Sequence, residues 1–392
     1  MRLVRIQPSN SMARHDFADA VMRELDFHCS IATSILCSKK LVNETAQGMY
    51  HIARTYRIVQ ERLMENEAIS DMTIAILVIM SQYERLQGQH ARGYIHMQGL
   101  RRMVELRGGI KQLSRECWGV IQKVLRADLE YALQLGQRTL FGFEGIEVLF
   151  SWGHPRIDEV GDSNKSEVDL FLQKNLRDDI WMLYADMRRA AMLLNDANGG
   201  HRQKLNAVEF HNVLLLFGHR LLHISPLDVS SDPYAGLKEG MSPLDKAVHL
   251  GLVAFLATFL TGLDHCIPDK PLLSHGLRLA IQNLALSIGP EKENRSVQCV
   301  LTWTLFIGSV VELKPSDDEW LIPTTNSAMQ ALGLSTWEDV KLLLSGFPWV
   351  DAVHDRAGVS LSSTQKTTTY QLCDTIFAMP SAQIPAQRPR AP

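Results

Sequence analysis

The residues whose types and spacing could do chemistry are few. His219 and His223 stand four apart in an apolar run, which would place two imidazoles on one face of a helix, the spacing of a zinc-binding pair. The residue after the first histidine is Arg220, where a metallohydrolase would need its general-base glutamate, so the hydrolytic zinc motif is not formed. With Leu214-Leu215-Leu216 and Leu221-Leu222 around them, both histidines are expected to be packing residues. Asn283, Ser287 and Glu291 have the spacing of the magnesium triad of a terpene synthase, and Asp178-Asp179 could begin an aspartate-rich motif. Oxygen ligands on helices facing a cavity could hold Mg²⁺ against a diphosphate. But Gly289-Pro290 breaks the helix before Glu291, and Met182 occupies the position where the second motif needs another aspartate.

The six cysteines, Cys29, Cys37, Cys117, Cys266, Cys299 and Cys373, contain no C-x2-C knuckle. Their apolar surroundings predict buried, reduced thiols. No G-x-S-x-G elbow, phosphate-cradling glycine loop or dinucleotide fingerprint is present, and no side chain is assigned a catalytic role. A net charge of −3, with no basic stripe, argues against direct gripping of a phosphate backbone. The first twelve residues, MRLVRIQPSNSM, lack the continuous apolar core of a secretory signal.

The elements that would position these groups are helices. Apolar residues recur with helical period over 15–37, 45–66, 71–87, 90–107, 117–136, 167–195, 202–224, 243–263, 270–288, 295–313, 325–332 and 336–345. No alternating strand pattern bounded by a tight turn is found. The fold class expected is all-α, a single large domain of stacked antiparallel helices. It is expected to span 1–361 with a loop at 152–167, followed by a poorly ordered tail at 362–392 with one apolar patch, 370–379. The run 247-AVHLGLVAFLATFLTGL-263 is short for a membrane span, typically about 20 residues. Preceded by Ser242 as N-cap and Pro243 at the first helical position, it reads as a central helix buried on all sides.

The stretch 90-HARGYIHMQGLRRMVELRGGIKQL-113 carries two internal glycines. Gly93, Met97, Leu100 and Val104 share one helical face, and Gly99 lies beside it. Gly99 is expected to let a neighbouring helix approach closely. Gly108-Gly109 stands where a left-handed cap belongs, with Arg107 at the negative end of the helix dipole.

The pattern His96-x2-Gly99-x3-Met103-Val104-x2-Arg107-Gly108-Gly109-Ile110-x2-Leu113 resembles a hallmark segment of fungal-specific transcription factor regulatory domains. These are the helical regions that follow a six-cysteine binuclear zinc cluster. Two later stretches are similar to that family in the expected order. The first is 303-WTLFIGSVVE-312, leading to Asp318-Glu319-Trp320, and the second is 337-WEDVKLLLSGFPWVD-351, whose helix Ser335 and Glu338 would begin as a capping box. The matches lie within about 70–361.

The resemblance implies a transcriptional regulator in the nucleus, and also the cytoplasm, that is not an enzyme. It would pair with other transcription proteins or as a homodimer, respond to a small-molecule effector, and neither bind DNA directly nor enter a membrane. The paired C-x2-C-x6-C zinc cluster is absent from this sequence, so zinc is expected only if a cluster lies upstream. His96, Gly99, Arg107, Gly108, Gly109, Trp303, Trp337 and Trp349 carry the resemblance and are expected to be structural. The competing readings are a magnesium-dependent isoprenoid-type enzyme and a scaffold that binds only proteins.

Overall fold

The structure, a computed structural model, describes residues 46–64, 69–142, 146, 166–228, 240–260, 270–288, 294–311, 313 and 320–362. The expected helix at 15–37, nearly all of the 152–167 loop, the tail beyond 362, Glu291, and Cys29, Cys37, Cys266 and Cys373 lie outside the described residues.

Among the described residues the chain is all-α, with no β-sheet. The N-terminal group comprises α1 (Ala46–Leu63), α2 (Asp71–Leu86), α3 (His90–Leu106), α4 (Gly109–Glu116) and α5 (Trp118–Leu135). Next come α6 (Glu167–Asn175), α7 (Asp178–Gly199) and α8 (Ala207–Ile224). The remainder is α9 (Pro243–Ala257), α10 (Pro271–Leu286), α11 (Asn294–Val311), α12 (Leu321–Leu332), α13 (Trp337–Leu344) and a last helix, α14, over 351–362.

Two helices organise the rest. In α2 the run TIAILVIM is buried nearly all round, because α3 and α5 both pack against it. Ser70 starts it by accepting a hydrogen bond from the Thr73 amide (3.3 Å). In α9 the sequence AVHLGLVAFLA is enclosed by α7, α8, α10 and α11. Its start is the expected one, with Ser242 as N-cap, Pro243 at the first position and Asp245 reaching back to complete a capping box. No helix among the described residues is long and apolar enough to cross a membrane. One hydrophobic cluster, running from Val59 to Leu361, joins both groups.

Several boundaries differ from the pattern reading. The expected helix 167–195 is two helices, because Leu176 adopts an extended conformation and Asp245 captures the Arg177 amide (3.0 Å). That break comes from a residue 68 positions away, with no glycine or proline to announce it. Helix α4 begins at Gly109, the second glycine of the pair. α12 begins at Leu321 rather than at 325, since Pro323 sits in the first turn, where a missing N–H costs nothing. The capping box of α13 is Thr336 with Asp339, one residue later than Ser335 with Glu338.

Candidate functional site

The first resemblance segment forms a corner held by Arg107. Its guanidinium donates to the Ile69 carbonyl (2.8 Å), to Asp71 Oδ1 (2.7 Å) and to Glu116 Oε2. It thereby joins the start of α2 to the end of α4. Gly108 (φ +90°) and Gly109 (φ +85°) are both left-handed, so the chain can end α3 and begin α4 with only Arg107 and Gly108 between them.

At the other end of the α2–α3 pair lies a cluster of buried charge. Arg85 donates to Glu130 (2.7 Å) between side chains that are 2% and 7% exposed, and the other Glu130 oxygen accepts from Arg126. One residue earlier, Glu84 accepts a hydrogen bond from the Tyr56 hydroxyl and pairs with Arg92 (3.6 Å). His96 Nε2 sits 3.2 Å from the same hydroxyl. Burial raises the Tyr56 phenol and lowers the His96 imidazole below its ordinary range. Each buried charge therefore has an opposite or hydrogen-bonding partner, and the network links α1, α2, α3 and α5. Tyr131 adds a bond to the Ser81 carbonyl (2.5 Å).

Gly93, not Gly99, is the close approach in α3. A Cβ on Gly93 would lie 1.8 Å from the Tyr131 hydroxyl oxygen and 3.0 Å from the Ser81 carbonyl. Gly99 is exposed, and a Cβ there would meet nothing within 4 Å. The expected packing role of Gly99 is corrected accordingly: the position lies near the buried face in sequence but points about a third of a helical turn away from it.

The other two segments meet in an aromatic corner. The Trp303 indole is fully buried, stacks on Phe347 (5.3 Å between centroids, 9° between planes) and donates to the Pro348 carbonyl (3.2 Å). Gly251 of α9 makes room for it, since a Cβ there would lie 2.7 Å from the indole. Tyr184 meets both rings edge-on. From α7, Tyr184 (3.2 Å) and Arg188 (2.7 Å) donate to the Gly346 carbonyl. Asn195 donates to the Trp349 carbonyl (2.9 Å) and accepts from the Asp351 amide (3.0 Å). Trp349 donates to Asp355 (2.9 Å), and Trp337 lies against Gly358.

The eight resemblance residues thus fall into separate places. Arg107, Gly108 and Gly109 organise the first corner, His96 belongs to the charged cluster at the other end of α2, Gly99 lies on the outer surface of α3, and Trp303, Trp337 and Trp349 organise the aromatic corner. The histidine pair does not converge: His219 is fully buried with Nε2 3.3 Å from the Leu125 carbonyl, whereas His223 is exposed. Burial depresses His219 to about 4. Asn283 and Ser287 lie on the exposed side of α10, and Asp179 is paired with Arg177 (2.7 Å). Among the described residues no group of three His, Cys, Asp or Glu side chains is placed to hold a metal ion. Neither Cys117, half-buried, nor Cys299, buried, is in a disulfide.

Pattern reading missed the charged cluster and Asp128. The Asp128 carboxyl is almost fully buried and accepts from the Leu140 (2.8 Å) and Phe141 (3.0 Å) amides. Burial pushes it up to about 7 against the opposing effect of those amides. The available signal was charge inside apolar helices: Glu84-Arg85 after TIAILVIM, and Asp128 and Glu130 within α5. Comparison with protein-family profiles, with curated proteins and with solved structures finds no match to this chain.

Proposed function

We propose that this chain is the regulatory domain of a fungal zinc-cluster-type transcription factor, acting through other transcription proteins or a second copy rather than by reading DNA itself. The observation that carries the reading is the physical unity of the last two resemblance segments. Trp303 and the Phe347-Pro348-Trp349 turn, 45 residues apart from Trp303 to Pro348, lock into one aromatic unit. The first segment, with its two left-handed glycines and its anchoring arginine, is a second such unit. These are residues that an architectural motif would retain, and they supply a helical platform for contacts with partners or an effector.

DNA binding would have to come from outside these residues. Specific recognition needs base-edge contacts in a groove and phosphate neutralisation by Lys and Arg. The chain has a net charge of −3. In a mobility-shift titration the 392 residues alone should bind duplex DNA no better than the nonspecific range, roughly 10⁻⁴ to 10⁻⁶ M at physiological salt. Fused to a heterologous DNA-binding module, the chain should raise or lower transcription of a reporter bearing that module's site. Nanomolar enrichment of one duplex by the bare chain would refute the reading, as would a fusion indistinguishable from the module alone.

A further inference from the structure

At the Tyr56 hydroxyl three helices bond at once. Its single proton goes to Glu84 Oε1 of α2, so its oxygen can only accept from His96 Nε2 of α3, 3.2 Å away. That bond requires the tautomer with the proton on Nε2. Glu84 is buried, and its other oxygen pairs with Arg92 (3.6 Å). The Tyr56 ring lies against the imidazole, with 5.7 Å between centroids, so α1 itself helps to cover His96. α1 rests on the remainder by one stripe, Ile52, Thr55, Tyr56 and Val59, with Arg57, Gln60 and Glu61 exposed on its other side. Ile52 and Tyr56 pack on Tyr83 and Leu86. α2 is held by α3 and α5 as well, so α1 can part from it while that packing stays closed.

We propose that the Tyr56–Glu84–His96 contact is an acid-released latch: it holds α1 on the α2–α3 pair near neutral pH and gives way when the imidazole gains a second proton. That proton would sit on Nδ1 and make the ring a cation in a site that Tyr56 helps to keep from water, where charge is costly. Release returns the ring to solvent. The groups facing His96 do not cancel the cost. From α2, Glu84 favours the cation, but its two oxygens are already engaged by Tyr56 and Arg92. On α3 itself Arg92 opposes the cation. Tyr56 of α1 and Tyr83 of α2 bring no charge. From α5, Glu130 acts on Tyr131 rather than on His96, and α4 lies at the far end of α3.

Burial thus outweighs Glu84, and the imidazole is held below its ordinary 6.5. The latched ring refuses a proton that the released ring accepts near 6.5. The latch is therefore at full strength above that pH and weakens as pH falls through the lower, latched value. The docking equilibrium shifts by at most about tenfold per pH unit. Lifting parts Ile52 and Tyr56 from Tyr83 and Leu86, which opens a side of α2 that α1 covers near neutrality. The latch stands on the geometry of α1, α2 and α3 whether or not the regulatory reading holds.

Hydrogen exchange on the full chain tests it, at about pH 7 and about pH 5 with intrinsic rates corrected. From pH 7 to pH 5 the α1 amides should lose about fivefold or more protection beyond any loss in α2 and α5. His96→Gln keeps a side-chain N–H for Tyr56 but cannot take up a proton in this range, so it should abolish that extra loss. Tyr56→Phe removes the hydroxyl and should lower α1 protection at both pH values. In the parent chain the His96 imidazole, followed by NMR, should titrate below 6.5. Equal protection of α1 at the two pH values would overturn the proposal, as would His96 titrating at or above 6.5. So would an acid loss that survives His96→Gln, the result expected if His51, the buried imidazole of α1 itself, were the sensor.

Discussion

At the α1–α5 end the interior is tied together by charge, with Glu130 held between Arg85 and Arg126, and Glu84 bonded by Tyr56 and paired with the more exposed Arg92. At the α9–α14 end it is filled by rings, with Trp303, Phe347, Tyr184 and Trp349 stacked and edge-packed around backbone carbonyls. The two solutions respond differently to damage. A ring contributes through the area it removes from water, so deleting it loses that area and leaves a cavity. A buried ion pair contributes little net stability, yet removing one member strands the other. The ring cluster therefore holds the fold by its bulk, and the charge cluster holds it by requiring one arrangement.

The sharpest break in that comparison is Trp303→Ala, which should cost about 3–5 kcal/mol and leave the Pro348 carbonyl without its donor. Urea denaturation measures it. Glu130→Leu should be comparably severe, about 3–5 kcal/mol, because the buried Arg85 guanidinium and Arg126 lose the carboxylate they share. The contrast lies in rescue: adding Arg85→Met to Glu130→Leu should restore part of the loss, since an apolar pair of similar volume often equals a buried ion pair, while Arg126 still lacks its carboxylate. A double variant as unstable as the single one would show that the charges do more than satisfy each other.

Gly93→Ala should cost about 1–3 kcal/mol, because its methyl collides with Tyr131. Gly99→Ala on the same helix should instead stabilise the monomer, by up to about 1 kcal/mol. Thermal melts of the two at low protein concentration decide between them.

Acid should also separate the two ends. His354, in the aromatic corner, is lowered by burial to about 3. The unfolded chain takes up its proton near 6.5 while the folded chain refuses it, so stability is intact above that pH and is lost as pH falls toward 3. Asp128, at the charged end, has the opposite sign. Its folded carboxyl holds a proton up to about 7, so protonating it as pH falls from about 7 toward 4 favours the fold. Urea midpoints between pH 4 and 7 should show His354→Asn flattening the acid loss, by at most about 1.4 kcal/mol per pH unit, and Asp128→Asn steepening it. The smallest effect expected is Arg101→Ala, within about 0.5 kcal/mol, because its pair with Glu105 is solvent-exposed.

Helix identity was legible because a 3.6-residue apolar period is local: α2, α9 and α11 stand out in the sequence within a residue or two at their starts. Caps written into neighbouring residues, such as Ser242-Pro243-x-Asp245, were legible for the same reason. What was not legible depended on distant partners. The break between α6 and α7 needs Asp245, and the burial of Glu84 and Arg85 needs Tyr56 and Glu130. On α3 the two glycines have equal local standing, and only the position of Tyr131 shows which of them is crowded. Histidines four apart implied one shared face, yet α8 is enclosed at His219 and open at His223, a difference its neighbours impose.

The bonds from Tyr184, Arg188 and Asn195 to the 346–351 turn span 154 to 162 residues of chain. They have a consequence during synthesis. Translation at about 5–20 residues per second delivers that turn roughly 8 to 30 s after α7 has emerged. Throughout that interval the side of α7 that the turn will cover has no partner, although α2, α3 and α5 can already close on one another. The ribosome therefore presents a half-built domain with one apolar flank open. Whatever shields that flank in the cell must let go when Phe347 and Trp349 arrive.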